Sequence, residues 1–566
     1  MISAFPPGAV LALGAFVLPV AGQRLRPVLV VGLPLVTLAL VWSLPEGRSA
    51  GLLLLDYELV LVRSDPLGRL FAIIFALMAF GGGLFALRQQ SVFELVAALL
   101  YAGGAVGVAL AGDLITLFVC WEIMALASSA VIVSVGGERA IRVAMRYFMV
   151  HMLGGALLLA GITVHLSDAG TLAVGALDAS SLGGALILAG VLVNAAAPPI
   201  SAWLPDAYPE GSFSGTVFLS AFTTKVAVYV LIRAFPGTEI LVPIGLFMIF
   251  YGIVYALLEN DMRRILAYSI VNQVGFMVTG AGIGTEMALN GAAAHAFAHI
   301  IYKALLLMSA GAVLYMTGKR KCSDLGGLFQ SMPVTTVCGI VGALAISSFP
   351  WTSGFVSKSM INQAAGDEQL ALTWFLLLAA SAGVFLHAGI KYPWFVFFQK
   401  DSGLRPPDPP WNMQAAMIFF AALCIGLGIW PEPLYALLPY PVSYAPYTVP
   451  HVVNMFQLLL FSGLAFFLML PLMKRTLTIT LDTDWVYRSL GPMVLSRLTN
   501  AVATTQRTLE AAGRRRVSDA IGLVQRHFGP DSAIARTIAR AQETGGMVLM
   551  VVVVLLVYLL LTFFAW

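Results

Sequence analysis

Two histidines and a lysine recur at a spacing of four residues within one apolar segment. His295, His299 and Lys303 stand at positions i, i+4 and i+8, which places them on one face of a helix over about two turns. Histidine titrates near physiological pH, and the pKa of lysine shifts readily when the side chain is buried. A row of this kind can accept and release protons in sequence, because each charge changes the protonation of its neighbours.

Four further charged residues interrupt other apolar runs: Glu122, Lys225, Lys358 and Lys391. A charged group at the centre of a bilayer costs about 2.5–3.5 kcal/mol, so such residues need a functional reason. A single lysine, Lys391 in particular, can extend its amine to the membrane surface. The two histidines could also form a structural pair or bind zinc at the H-x₃-H spacing, although no acidic or cysteine ligand lies nearby. For the whole set, a transmembrane ion path explains the pattern best.

The composition excludes an ordinary soluble protein. Of 566 residues, 59% are hydrophobic and 11% are charged, whereas about 25% of the residues in soluble domains are charged. Lipid must cover much of the surface, which makes the bilayer a partner of the chain. The net charge of +4 does not indicate nucleic acid. Four scattered cysteines and the lack of a Rossmann or P-loop motif predict no metal, no cofactor and no catalytic chemistry of its own.

The apolar runs predict an all-α polytopic membrane protein with about sixteen transmembrane helices, each needing about 20 apolar residues. Residues 51–63 alternate weakly and predict a short extracellular hairpin. The predicted spans are residues 7–22, 27–44, 67–87, 91–111, 113–135, 143–166, 182–203, 213–234, 241–258, 265–284, 288–317, 332–366, 370–397, 412–431, 452–473 and 546–566.

Basic residues are concentrated in alternate connections between these spans, the odd-numbered ones, with Arg48, Arg63 and Arg233 as exceptions. Short cytoplasmic loops carry an excess of lysine and arginine. This pattern predicts an N-terminus outside and the odd connections in the cytoplasm of a bacterial cell, with the chain in the inner membrane. The basic residues concerned are Arg24, Arg26, Arg88, Arg139, Arg142, Arg263, Arg264, Lys319, Arg320, Lys321, Lys400 and Arg405.

Two spans are interrupted in comparable ways, by Pro198-Pro199 and by the run from Pro350 to Gly354. Each is followed by a helix with one buried lysine, Lys225 or Lys391. Paired interruptions of this kind are typical of inverted-repeat transporters, although proline and glycine are common in membrane helices generally. The repeats are predicted at about 91–235 and 241–397, inside a core of residues 91–400. Residues 1–90 supply N-terminal helices, and residues 401–473 supply further core helices.

Residues 474–545 differ from the rest because they are basic and amphipathic. Apolar residues recur at helical spacing from Leu490 to Phe528, and Gly529-Pro530 breaks the pattern. We expect a helix on the cytoplasmic side, either lying on anionic lipid or running laterally as a strut along neighbouring subunits. A final anchor helix is predicted at residues 546–566.

Five segments between residues 90 and 400 resemble the antiporter-like subunits of complex I (proton-translocating NADH:quinone oxidoreductase) and of Mrp cation/proton antiporters. They occur in the family's order and at its spacing. Within this family the chain looks most like the Mrp D subunit, and its C-terminal segment resembles the brace of the distal complex I subunit. The segments are Asp113-Leu-Ile-Thr-Leu-Phe-Val-Cys-Trp-Glu-Ile-Met, Trp203-Leu-Pro-Asp-Ala-Tyr-Pro-Glu, Arg263-Arg-Ile-Leu-Ala-Tyr-Ser-Ile-Val-Asn-Gln-Val-Gly, His295-x₃-His299-x₃-Lys303-Ala-Leu-Leu and Gly354-Phe-Val-Ser-Lys358.

The resemblance implies a role for each residue of the proton path. Glu122 would tune the path, Lys225 would bridge, His295, His299 and Lys303 would form the central axis, and Lys358 would stand on the exit side. The family usually has a lysine before the first interruption, where this chain has Asn194. Asparagine cannot titrate or form an ion pair, so Glu122 is expected either to pair with Lys225 or Arg146 or to remain partly protonated.

The resemblance implies a proton-conducting subunit of a multi-subunit monovalent cation/proton antiporter, with protons and Na⁺ as the transported ions and other membrane subunits as partners. One alternative is a proton-pumping subunit of a complex I-like or hydrogenase-like respiratory complex, driven by redox chemistry on other chains. Another is a scaffold that has kept the fold and lost conduction, which Asn194 would explain. The sequence does not identify the coupling ion.

Overall fold

The computed structural model describes residues 5–54, 57–471, 482, 485–540 and 544–564. The chain forms two compact units, Met1–Asp484 and Trp485–Trp566. The predicted boundary at 474, the start of the first predicted segment and the end of the last one lie outside the described residues.

The first unit is a bundle of helices with a two-stranded hairpin near its N-terminus. Its helices are α1 (Pro7–Val17), α2 (Arg26–Ser43), α3 (Pro66–Phe85), α4 (Val92–Leu110), α5 (Leu114–Val133), α6 (Gly137–Ala169), α7 (Leu182–Asn194), α8 (Trp203–Ala207), α9 (Gly215–Leu219), α10 (Thr223–Ala234), α11 (Leu241–Leu258), α12 (Met262–Ile283), α13 (Glu286–Thr317), α14 (Pro333–Ile346), α15 (Ser353–Asp367), α16 (Ala371–Val384), α17 (Trp411–Ile429), α18 (Glu432–Tyr435) and α19 (Val449–Met469). Two π-helical segments, Phe385–Lys391 and Trp394–Phe398, continue α16.

Every predicted membrane span contains a helix of the structure. Within the described residues, thirteen helical stretches are long and apolar enough to cross a membrane. Three shorter apolar helices, α1, α7 and α14, occupy the positions of the other three predicted spans. The all-α polytopic membrane fold is therefore confirmed.

Several helices, α5, α12 and α13 among them, begin at a polar side chain that caps them. The Asp113 carboxylate accepts from the Thr116 N–H at 2.7 Å, and Asp261 accepts from the Arg263 N–H at 2.9 Å. Thr285 caps α13 in the same way, at 3.3 Å from the Ala288 nitrogen. These side chains satisfy donors that a helix N-terminus otherwise leaves unpaired.

The predicted hairpin is present and slightly longer than expected. Strands β1 (Gly47–Leu54) and β2 (Tyr57–Ser64) pair antiparallel. The Val60 N–H donates to the Asp113 carboxylate at 2.8 Å, and Arg63 donates to the Val174 carbonyl at 2.9 Å. The hairpin is thus fixed to the N-terminus of α5.

Both predicted interruptions are helix breaks with the same hydrogen-bond pattern. The Ala197 N–H donates to the Leu192 carbonyl and the Phe349 N–H to the Leu344 carbonyl, both at 3.0 Å. The residue before each donor has a positive φ, 59° and 58° respectively. This is the Schellman ending of an α-helix, and it occurs after both α7 and α14. A third break separates α9 from α10.

Three stretches at the centre of the bundle are enclosed by protein along nearly their whole length. They are the α9–α10 segment, α12 and α13. All three carry polar side chains, including Lys225 and the row His295, His299 and Lys303. Protein rather than lipid therefore surrounds the charged residues of the core.

The second unit consists of α20 (Gly491–Phe528), α21 (Ala533–Arg540) and α22 (Thr544–Phe564). Helix α20 has 38 residues and is therefore about 57 Å long. It ends at the Gly529-Pro530 pair, where proline cannot continue the helical hydrogen bonds.

Candidate functional site

Lys225 lies at the third helix break and is fully buried. The break exposes the last carbonyls of α9, and the Lys225 ammonium donates to one of them, that of Ser220, at 2.6 Å. A second hydrogen bond reaches Thr224 Oγ1 at 3.0 Å. Because the C-terminus of a helix carries partial negative charge, the break provides a site for a cation in the core.

Helix α13 places His295, His299 and Lys303 along one buried face, as the spacing predicts. His295 Nδ1 is 3.1 Å from Ser357 Oγ, and its Nε2 is 3.2 Å from Gln273 Oε1. Neither ring nitrogen of His299 has a hydrogen-bond partner among the described residues. His299 thus lies between two hydrogen-bonded neighbours on this face with both of its ring nitrogens unbonded among the described residues.

Lys303, next along this face, donates to Ser269 Oγ at 2.6 Å and to the Leu266 carbonyl at 3.2 Å. Lys358 donates at 3.0 Å to the carbonyl of Ile346, which is the last residue of α14 before the second break. Its ammonium also lies over the ring of Phe276, 4.7 Å from the centroid. Among the described residues neither lysine forms a salt bridge.

These groups lie close enough to influence one another. His299 interacts electrostatically with Lys225, Lys303, Lys358 and His295, and Lys303 with Lys225 and Lys358. We call Lys225, His295, His299, Lys303 and Lys358 the cationic row. A proton added at one member is repelled by the others, so the protonation of each depends on the rest.

Lys391 is held differently from the cationic row. Its ammonium donates to three backbone carbonyls at the end of α11, those of Ala256, Leu257 and Glu259, at 3.0, 2.6 and 2.6 Å. All three of its N–H groups are used in this way, which closes the C-terminus of α11. The geometry therefore favours a structural cation rather than a member of the path.

Glu122 lies halfway along α5 and is half-buried. Its Oε1 atom is buried without a hydrogen-bond partner among the described residues. Arg146 pairs instead with Asp206, at 2.8 and 3.0 Å, and Lys225 bonds to Ser220 and Thr224. The expected pairing of Glu122 with either cation is wrong in this structure, because helix packing directs both towards other oxygen atoms.

Comparison with known proteins identifies the family. A family model described as "NADH:quinone oxidoreductase/Mrp antiporter, TM" matches residues 111–386. The D subunit of the Na⁺/H⁺ antiporter of Alkalihalophilus pseudofirmus is 31% identical over 353 residues, which cover 59% of this chain and 71% of that protein. The chain belongs to the antiporter-like subunit family of complex I and Mrp antiporters.

Members of this family from a second kind of complex are similar too. The N subunit of the NADH-quinone oxidoreductase of Desulforudis audaxviator is 32% identical over 48% of this chain and 58% of that protein. A solved structure of the Mrp complex from Dietzia sp. DQ12-45-1b contains a chain that matches with a TM-score of 0.73 at 22% identity, covering 99% of this chain and 63% of that one. This last likeness shows the fold alone. The chain is a membrane subunit of the cation/proton antiporter family.

The site of this antiporter-like subunit includes residues that the sequence pattern did not single out. Gln273, Ser357 and Ser269 bond to the cationic row, but buried glutamine and serine are too common in helices to be recognised from sequence alone. The pattern did not indicate His151 either. It lies in the apolar run before the first break, and Asn194, which stands where the family has a lysine, is 2.7 Å from its Nδ1 atom. A search for every histidine in an apolar run would have found it.

Proposed function

We propose that this chain is a proton-conducting subunit of a multi-subunit Na⁺/H⁺ antiporter, similar to the Mrp D subunit. The observation that carries the proposal is the cationic row. Its members are buried, interact electrostatically, and form no salt bridge among the described residues. Charges without fixed counter-ions can gain and lose protons at a small cost, whereas a tight buried ion pair holds its protonation state.

The path has a defined order in this proposal. Glu122 tunes the first half, Lys225 links it to the centre, His299 exchanges protons between Lys225 and Lys303, and Lys358 passes protons out beside the second break. The other antiporter subunits are its partners. The chain lies in the inner membrane with its N-terminus outside, and its amphipathic helix α20 lies on the cytoplasmic side.

Transport by the reconstituted complex tests the proposal. The chain is purified with its neighbouring subunits, and an imposed Na⁺ gradient is expected to acidify or alkalise the vesicle lumen. Changing both Lys225 and Lys358 to methionine should abolish this movement, because it removes the link to the centre and the exit. The matched control changes Lys319 and Lys400, two lysines outside the apolar helices, to methionine and should transport normally.

A second candidate function rests on the similarity to the N subunit of NADH-quinone oxidoreductase. In that case the same row would conduct protons, driven by electron transfer on other chains. Copurification of a hydrophilic redox arm, with no response to a Na⁺ gradient, would select this function. Undiminished transport by the Lys225→Met, Lys358→Met double variant would instead mean that the chain is a non-conducting scaffold.

A further inference from the structure

His151 lies in the first half of the core, on α6, and is buried. Its Nδ1 atom is 2.7 Å from Asn194 Oδ1, at the end of α7. An amide oxygen only accepts hydrogen bonds, so the Nδ1 atom carries the proton and Nε2 has the free lone pair. Nε2 is buried with no hydrogen-bond partner among the described residues.

Glu122 and Asn194 lie against neighbouring glycines on the turn of α6 that follows His151. A Cβ atom at Gly155 would lie 2.0 Å from Glu122 Oε1, and one at Gly154 would lie 3.2 Å from Asn194 Oδ1. Residues four apart on a helix have Cβ positions about 5–6 Å apart. The two glycines therefore leave the space in which a carboxylate and an amide come close to the imidazole.

A set of buried hydroxyl groups continues from His151 towards Lys225. The ring of Tyr147 packs at a tilt of 54° against that of His151, with centroids 4.1 Å apart. Its hydroxyl donates to Ser128 Oγ at 3.0 Å and lies near the hydroxyls of Tyr101 and Thr223. Tyr101 and Thr223 are joined by a hydrogen bond of 2.5 Å. The next residue, Thr224, accepts from the Lys225 ammonium. This hydroxyl set (Tyr101, Tyr147 and Thr223) lies between the two halves of the site.

We propose that His151, oriented by Asn194, is the proton-binding group that takes the place of the family's lysine in the first half-channel. This inference rests on the proposed function. A proton is added at Nε2 to give the imidazolium, and the same proton leaves from Nε2, so the ring returns to its starting tautomer.

The charged and titratable groups around His151 fit this role. Helix α5 contributes Glu122, and α7 contributes no charged or titratable side chain. Helix α8 contributes Asp206, whose charge is balanced by Arg146 from α6 itself. Among the described residues, Glu122 is the carboxylate against this part of α6 that forms no salt bridge, and in its ionised form it would favour the imidazolium.

Transport by a histidine variant is the first test. His151→Gln keeps a donor for Asn194 but cannot titrate, and we expect it to slow proton transport by about a hundredfold and to flatten the pH profile. His165→Gln changes a histidine further along the same helix and should leave the transport rate and the pH profile unchanged. Adding Asn194→Lys to His151→Gln restores the family's lysine and should recover transport. A His151→Gln complex with the wild-type rate and pH profile overturns the proposal.

Nuclear magnetic resonance of the ¹⁵N-histidine-labelled complex is a second test, which does not depend on transport. The chain has seven histidines, and the signal lost in His151→Gln identifies His151. We expect the tautomer protonated at Nδ1, and a titration whose midpoint moves when Glu122 is changed to glutamine. A His151 signal that never titrates while the protein stays folded makes the His151–Asn194 bond structural and refutes the inference. Vesicles of the wild-type complex that move no protons would refute the proposed function alone.

Discussion

Three of the four lysines that are buried among the described residues are stabilised by helix ends rather than by carboxylates. Lys225, Lys358 and Lys391 each donate to a carbonyl at the C-terminus of a helical segment. A helix C-terminus carries about half a negative charge, which stabilises an ammonium less than a full counter-ion would. The ammonium can therefore lose its proton without leaving an uncompensated carboxylate behind.

The close packing of Glu122 against Gly155 leads to a prediction about transport. Because an added methyl group would lie 2.0 Å from Oε1, Gly155→Ala should displace the carboxylate and reduce transport nearly as much as Glu122→Gln does. Transport rates in vesicles, normalised to the amount of assembled complex, measure the effect. Gly426→Ala adds a methyl group with no atom within 4 Å and serves as the control. Normal transport by Gly155→Ala would show that the position of Glu122 is unimportant.

Substitution of Lys391 is expected to lower stability, because its ammonium donates hydrogen bonds to three carbonyls. Lys391→Met leaves these acceptors unpaired, and each lost bond to a charged group is worth about 1.5–3 kcal/mol. We expect a clear fall in the melting temperature of the detergent-solubilised complex. Lys400→Met, at an exposed loop residue, should melt like the wild type. A Lys391→Met complex of unchanged stability but without transport would return Lys391 to the proton path.

At the scale of elements, the helix breaks place the cations in the core. Each break after α7, α9 or α14 presents unpaired carbonyls inside the bundle, and Lys225 and Lys358 bond to two of these ends. The carbonyl at the end of α7, that of Val193, accepts instead from the indole N–H of Trp203 at 3.0 Å. The first break therefore holds no cation among the described residues, which agrees with asparagine rather than lysine at position 194.

The backbone conformation of Ser348, at the second break, leads to a prediction about stability. Ser348 has a φ of 58°, and its hydroxyl is buried without a hydrogen-bond partner among the described residues. Glycine adopts this conformation without the cost of about 1–2 kcal/mol that other residues incur. Ser348→Gly should therefore raise the free energy of unfolding by about 1 kcal/mol after the entropy cost of glycine is subtracted.

The neighbouring serine is the matched control for this substitution. Ser347 has a φ of −81° and donates to the Ala343 carbonyl at 2.6 Å, so Ser347→Gly should destabilise the protein. Unfolding in detergent, followed by circular dichroism, compares the two variants. Equal effects of both would show that the conformation at position 348 carries no strain.

The sequence predicted the elements better than the contacts between them. Proline pairs and apolar runs are local signals, so the breaks and the apolar helices can be found from them. The face shared by His295, His299 and Lys303 follows from helical spacing alone. That Arg146 pairs with Asp206, and that Lys391 donates to the carbonyls at the end of α11, depends on which helices pack together. Spacing along the chain does not contain this information. The histidine at 151 is visible in an apolar run, but its pairing with Asn194 is not.

At the scale of the whole molecule, Asp482 fixes the C-terminal boundary of the first unit. Its buried carboxylate accepts from the Tyr251 hydroxyl at 2.7 and 2.8 Å and from the Tyr268 hydroxyl at 2.5 Å. These tyrosines belong to α11 and α12, which lie beside the cationic row. Hydrogen bonds to a charged acceptor are stronger than neutral ones, so Asp482 is held firmly in the first unit, which ends at Asp484.

This boundary allows the role of the second unit to be tested separately from the stability of the first. A chain that ends at Asp484 keeps Asp482 and should retain the melting temperature of the bundle. A chain that ends at Arg475 also loses Asp482 and should melt at a lower temperature, as should the full-length Asp482→Ala variant. If the 38-residue helix α20 braces partner subunits, both truncated chains should lose those subunits in purification, whereas Asp482→Ala should keep them. Recovery of the whole complex with the chain that ends at Asp484, at the usual stoichiometry, would exclude the strut and leave binding to anionic lipid as the role of α20.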